Sequence, residues 1–306
     1  MTNAFAEQLA LYGPDRQTAV APSLAESQAY CRQLAETHYE NFTVASWLLP
    51  KALRPHFHAI YAYCRWADDL ADEVADPAHS LELLDWWEKQ LLECTQGQAT
   101  HPVFVALAET IREFQIPTAP LTDLLTAFRQ DQSVTRYETW DDLLGYCRNS
   151  ANPVGRLVLY LGRCHNPRTV AFSDKICTGL QLANFWQDVA RDYDRGRIYI
   201  PQTACRRAGY TEDDFAARRF TPAFRAMLSD LTIEAECLLI IGRPLTALVP
   251  RSLRLDISLF IEGGLAILRQ VRGIGFDVWQ QRPEISKREK LRLAMRCWVR
   301  SHRGEH

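Results

Sequence analysis

Asn184, Asp188 and Asp192 recur every four residues in the stretch NFWQDVARD. On an α-helix each step of four leaves only about 40° of excess rotation, so the three side chains share one face. They then form a ladder of oxygen donors roughly 12 Å long, at about 1.5 Å rise per residue. Like charges at this spacing repel by about a few tenths of a kcal/mol per pair, and a ladder inside an apolar segment therefore calls for a compensating cation. A second acidic element, YAYCRWADDLADE at 61 to 73, places Tyr61, Arg65, Asp68 and Asp72 at i, i+4, i+7 and i+11, again one stripe. Unpaired buried charge is costly, so each stripe must meet water, an ion or a charged partner.

Carboxylate and amide oxygens suit a hard cation. Mg²⁺ in particular is held by few carboxylates, with substrate phosphates and water completing its shell. His and Cys are absent from both ladders, which disfavours zinc and soft metals. Arg65, Arg191 and Arg197 stand beside the acids, and their forked donors match phosphate oxygens. Acids, magnesium and arginine together point to a diphosphate, and two such helices facing each other would line one pocket. The bland reading of either motif alone is a solvent-facing acidic stripe with intrahelical Arg partners, each pair worth a fraction of a kcal/mol. The conjunction of both in one helical chain favours the chemical reading.

The elements that must carry these stripes follow from composition and punctuation. The chain has 306 residues, 47% hydrophobic, with eight Trp and eleven Tyr, ample for a large core. No linker divides it, and the expectation is a loose lead-in over 1 to 22 followed by one domain from 23 to 306. Net charge is −2, with 35 Lys and Arg against 37 Asp and Glu, which argues against a nucleic-acid partner. Nine cysteines without a CxxC pair suit reduced thiols in a cytosol. The N-terminus does not read as a secretory signal, and the most apolar stretch, CLLIIGRPLTALVP, is broken by Arg243 and Pro244 before it could span a bilayer.

Ser23 with Glu26 opens a helix to about Glu36, and the spacing of Phe57, Ile60, Ala67, Leu70, Ala71 and Val74 predicts another over Pro55 to Ala75, ended by Pro77. Further helices are expected over Leu81 to Thr95, Pro102 to Gln115 and Pro120 to Asp131. Thr139 with Asp142 opens the next, and an apolar helix divided near Pro153 reaches Gly162. The ladder helix is predicted over 168 to 193, RIYIP at 197 to 201 as the one short extended piece, then helices over Thr221 to Ile241 and Ser252 to Arg272, and a last one from Ser286. No alternating run could build a sheet, so the class is all-α.

Three stretches, YAYCRWADDLADE, YCRNSANPVG and QLANFWQDVARDYDRGRIYIP, make the chain from about Cys31 to Gly275 resemble the head-to-head prenyl synthases, the squalene/phytoene synthase family. The resemblance implies a single-domain, isoprenoid synthase-like helical bundle around a central cavity, with two acidic motifs binding several Mg²⁺ ions. It implies Asp68, Asp72, Asn184, Asp188 and Asp192 as metal ligands and catalytic residues, and Tyr61, Arg65 and Arg197 as diphosphate contacts. Where dehydrosqualene synthases carry a serine- and lysine-bearing HSKSF-like stretch, this chain has His38, Tyr39, Glu40, Asn41 and Phe42. Where the family has YCxxVAGxVG, it reads YCRNSANPVG. These departures resemble the hydroxysqualene synthase branch, for which the resemblance implies ionisation of presqualene diphosphate and capture of the rearranged cation by water, without NADPH. The glycines of IEGGLAILRQVRGIG likewise lack the dinucleotide-binding pattern after a strand.

Tyr39, Asn41, Asn152 and Asp131 are candidates to place that water, and His38, Tyr39, Asn41 and Asn152 join the substrate-binding set. The alternatives are a synthase joining two prenyl diphosphates into presqualene diphosphate, squalene or phytoene, and a non-catalytic assembly factor of the same fold. Arg288, Arg292, Arg296 and Arg300 form a basic stripe near Trp298, either a solvated face of a terminal helix or a contact with an anionic membrane surface. His56 and His58 read as structural. The expected setting is the cytoplasm, with peripheral contact at the inner face of the membrane and neighbouring pathway enzymes as partners.

Overall fold

The computed structural model describes residues 3–16, 20–37 and 50–303. The all-α expectation holds: no strand forms among the described residues, and the extended piece at 197 to 201 contributes only a single parallel bridge between Ile198 and Arg136. The chain folds as two compact units, Met1–Ser133 and Val134–His306.

The first unit holds α1 (Asn3–Tyr12), α2 (Leu24–Thr37), α3 (Arg54–Asp72), α4 (Pro77–Thr95), α5 (Pro102–Phe114) and α6 (Ala119–Asp131). The stretch read as a loose lead-in thus contains a helix, anchored by Phe5, which is 6% exposed and meets the Trp66 ring edge-on at 5.5 Å. Helix α4 begins four residues before its expected start. Pro77 opens it instead of merely closing α3, because the Asp76 carboxylate accepts the Ala78 N–H as cap and proline at the first position has no N–H to lose. At the centre Trp66 and Trp87 stack at 5.2 Å, with Tyr63 beside them donating its hydroxyl to Leu121 O at 3.0 Å. These contacts hold the buried side of α3 and leave its acidic stripe on another side. His56, read as structural, meets Thr110 Oγ1 at 3.0 Å.

The second unit holds α7 (Trp140–Ser150), α8 (Asn152–Leu161), α9 (Pro167–Gln187), α10 (Val189–Asp194), α11 (Gln202–Ala208), α12 (Glu212–Ala216), α13 (Pro222–Gly242), α14 (Leu245–Leu248), α15 (Arg251–Gly273) and α16 (Lys287–Arg303). Helix α9 packs against α8, α13 and α15, which is why its apolar residues run round the whole helix instead of along one stripe. Close approach depends on small residues. A Cβ on Gly242 of α13 would lie 2.4 Å from Ile176 Cγ1 and 3.0 Å from Phe172 O on α9. The Thr139/Asp142 capping box forms as expected, with reciprocal bonds of 2.9 and 3.2 Å.

The ladder helix departs from expectation in one respect. It is two helices, α9 and α10, with Asp188 between them at φ −107°, ψ 16°. The backbone bonds Asp188 N–H to Asn184 O and Asp192 N–H to Asp188 O, both 2.9 Å, bridge the break and preserve the four-residue spacing. The chain then turns at Gly196, whose φ of 77° is cheap only without a side chain.

Candidate active site

Helix α3 supplies the first acidic cluster. Arg65 donates Nε to Asp69 Oδ2 at 3.0 Å and closes a second, short bond from Nη2 to Asp69 Oδ1, while its Nη1 reaches Asp68 Oδ2 at 3.3 Å. Asp69 is 8% exposed, so this is a largely desolvated fork holding the guanidinium against its own helix. Asp69 was not among the expected site residues, although its spacing of four from Arg65 was there to be read. Desolvation, then the neighbouring charge of Asp72, pushes the Asp68 carboxyl up to about 6, with Arg65 opposing and Asp131 adding to the rise. Asp131, at the end of α6, is therefore part of this electrostatic neighbourhood. Tyr61 is half-buried one turn before Arg65, and Asp72 is exposed at the helix end.

The α9–α10 junction supplies the second cluster. Asn184 is exposed, and Asp188 and Asp192 are half-buried along the same face. Arg282, ninety-four residues downstream of Asp188, donates Nε to Asp188 Oδ1 at 2.6 Å and Nη2 to Oδ2 at 3.0 Å. Its segment is tied down nearby by Gln187, whose Nε2 donates to Pro283 O at 2.5 Å. No periodicity or cap marks Arg282, and sequence reasoning passed over it. Desolvation, followed by the charge of Asp188, pushes Asp192 up to about 7 against the opposing Arg195, Arg197 and Arg282. Asp192 and Arg197 lie at a small pocket whose remaining lining includes Phe185, Tyr199 and Phe215. The Phe185 and Tyr199 rings stack at 3.8 Å.

The other expected residues distribute unevenly. Arg191 is largely exposed, its Nε 3.9 Å from Asp188 Oδ1. Asn152 is 3% exposed, and its Oδ1 accepts the Thr178 hydroxyl at 2.9 Å, which pins α8 to α9. His38, Tyr39 and Asn41, with Glu40 and Phe42, lie outside the described residues.

Among the described residues no three His, Cys, Asp or Glu side chains converge into a closed metal cage. The donors present are carboxylates and one amide on consecutive helical turns. Both clusters carry a carboxyl whose pKa is raised partly by its acidic neighbour. That donor set fits Mg²⁺, which takes few protein oxygens and fills its shell with phosphate and water. In each cluster a guanidinium is bonded to a carboxylate, Arg65 to Asp69 and Arg282 to Asp188.

Comparison with known proteins identifies the family. The squalene/phytoene synthase family model matches residues 35–289. A hydroxysqualene synthase of Rhodopseudomonas palustris is 40% identical over 212 residues, covering 68% of this chain and 70% of that one. Among solved structures, the squalene synthase HpnC from Alicyclobacillus acidocaldarius superposes with TM-score 0.80 at 42% identity, covering 84% of this chain and 97% of its own. A ligand-bound dehydrosqualene synthase does so with TM-score 0.82 at 28% identity, over 90% and 96%. Its two acidic helical motifs and its likeness in sequence and fold make this chain a member of the squalene/phytoene synthase family of isoprenoid enzymes, with hydroxysqualene synthases among its relatives.

Proposed function

We propose that the protein converts presqualene diphosphate to hydroxysqualene. The observation that carries the reading is the two acidic helical stripes, each with an arginine bonded to its carboxylates, the second beside the aromatic residues Phe185, Tyr199 and Phe215. In the first step the carbon–oxygen bond breaks and diphosphate leaves with the electron pair. Arg65 beside the first acidic motif, and Arg197 and the exposed Arg191 beside the second, offer forked donors suited to its oxygens. Tyr61 adds a hydroxyl on the same stripe as Arg65. Asp68, Asp72, Asn184, Asp188 and Asp192 would hold Mg²⁺, which when bound offsets charge on the leaving group. Aromatic and aliphatic side chains keep bulk water from the cation, and one water adds through its oxygen and loses a proton, giving the alcohol with no reductant.

The hydroxysqualene synthase relatives favour this product within the prenyl diphosphate chemistry of the family. Purified protein with Mg²⁺ and either presqualene or farnesyl diphosphate, followed by extraction of the lipid, separates the readings. Hydroxysqualene from presqualene diphosphate without NADPH is expected. Product from farnesyl diphosphate alone would instead identify a head-to-head condensing synthase. No diphosphate release from either substrate would leave the assembly-factor reading.

A further inference from the structure

Helix α16 carries apolar side chains on two faces. Leu293 and Cys297, 8% and 2% exposed, face inward, and the Glu289 carboxylate accepts Gln270 Nε2 of α15 at 3.0 Å. On the opposite side Leu291, Met295, Trp298 and Val299 follow the i, i+4, i+7, i+8 spacing of one stripe and are 62%, 52%, 54% and 37% exposed. Arg288, Arg292 and Arg296, all exposed, run at spacing four along one edge of that stripe, and Lys287 lies beyond its other edge. A merely solvated helix face does not call for a run of large apolar side chains left this exposed.

We propose that this outer face of α16 docks in the headgroup region of an anionic lipid bilayer. An apolar stripe containing Trp and Leu, bordered by Arg and Lys, is the pattern that lies in the plane of an interface, with the rings and aliphatic chains below the headgroups and the cations among the phosphates. From 287 to 299 there are five basic residues against one acidic, and that one is engaged inward. The same charge argues against a second copy as occupant, since paired faces would set like-charged Arg rows together. Docking is peripheral: no helix among the described residues is long and apolar enough to cross a membrane.

The test is sedimentation of the purified protein with vesicles of phosphatidylcholine alone or with about one quarter phosphatidylglycerol. Binding is expected only to the anionic vesicles and should fall as salt rises from about 0.1 to 0.5 M. Replacing Arg288, Arg292 and Arg296 together by Gln should weaken partitioning roughly a hundredfold, and L291Q with M295Q by roughly tenfold or more. Both variants should keep the wild-type circular dichroism melt and prenyl diphosphate turnover in solution, so failure of the docking and failure of the proposed function are read separately. Equal binding to neutral vesicles, no binding to either, or variants that sediment as wild type would overturn the proposal. So would concentration-dependent dimerisation abolished by the same substitutions.

Discussion

The bond between Arg282 and Asp188 offers the sharpest test of the site as built. The two side chains are 30% and 22% exposed and share two direct N–H···O bonds of 2.6 and 3.0 Å. Exposed ion pairs couple by about 0.2–1 kcal/mol, and breaking a fully buried pair costs about 3–5 kcal/mol. A bidentate, mostly buried fork falls between, so a double-mutant cycle over R282Q and D188N should return a coupling of about 1–2 kcal/mol. The single substitutions should differ in a defined direction. R282Q leaves the Asp188 carboxylate half-buried beside Asp192 with its main partner gone, and should cost about 1.5–2.5 kcal/mol. D188N removes a like charge from Asp192 and should cost less. It should also lower the Asp192 pKa from about 7, since Asp188 is the second cause of that rise after desolvation. Urea unfolding of the four proteins without Mg²⁺ measures the cycle, and carboxyl carbon NMR follows Asp192. A coupling under about 0.3 kcal/mol, or D188N costing more than R282Q, would refute the electrostatic account of this cluster.

Four further outcomes follow from the structure. Asp256 of α15 is 4% exposed, neither carboxyl oxygen has a hydrogen-bond partner among the described residues, and burial pushes it up to about 7 from 3.8. A folded pKa above the unfolded one contributes stability below about pH 4 that is lost as pH rises through about 7, so D256N should gain on wild type in melting temperature between pH 5 and pH 8. Asp192, also raised to about 7, has the same sign, and D192N without Mg²⁺ should show the same relative gain over that window. G242A places a methyl against Ile176 and the Phe172 carbonyl and should lose about 1–3 kcal/mol by denaturant unfolding. D68N and D188N should each abolish diphosphate release with helical content intact by circular dichroism, and turnover surviving in either would reject the metal assignment.

Much of the architecture was legible because helices announce themselves locally. The capping pairs Ser23/Glu26 and Thr139/Asp142 are both formed, and the stripes of Arg65 with Asp68 and of Asn184 with Asp192 keep their faces even where the backbone leaves helical geometry at Asp188. Local signals also misled where one residue serves two purposes. Pro77 stops one helix and starts the next, and a lead-in without strong periodicity still folds as α1 once Phe5 finds Trp66.

The order of residues along the chain determined which side chains share a helical face, since that depends only on a rotation of about 100° per residue and on caps within a few positions. It therefore determined both acidic stripes and the family likeness they carry. Tertiary structure alone decided which of those charges are desolvated and by what they are held. Asp69 grips Arg65 from a buried position, Arg282 reaches Asp188 across ninety-four residues, and Asn152 points at Thr178. Burial and long-range partnership arise from packing between helices, where an electrostatic interaction strengthens as water is excluded, and no local pattern encodes that exclusion.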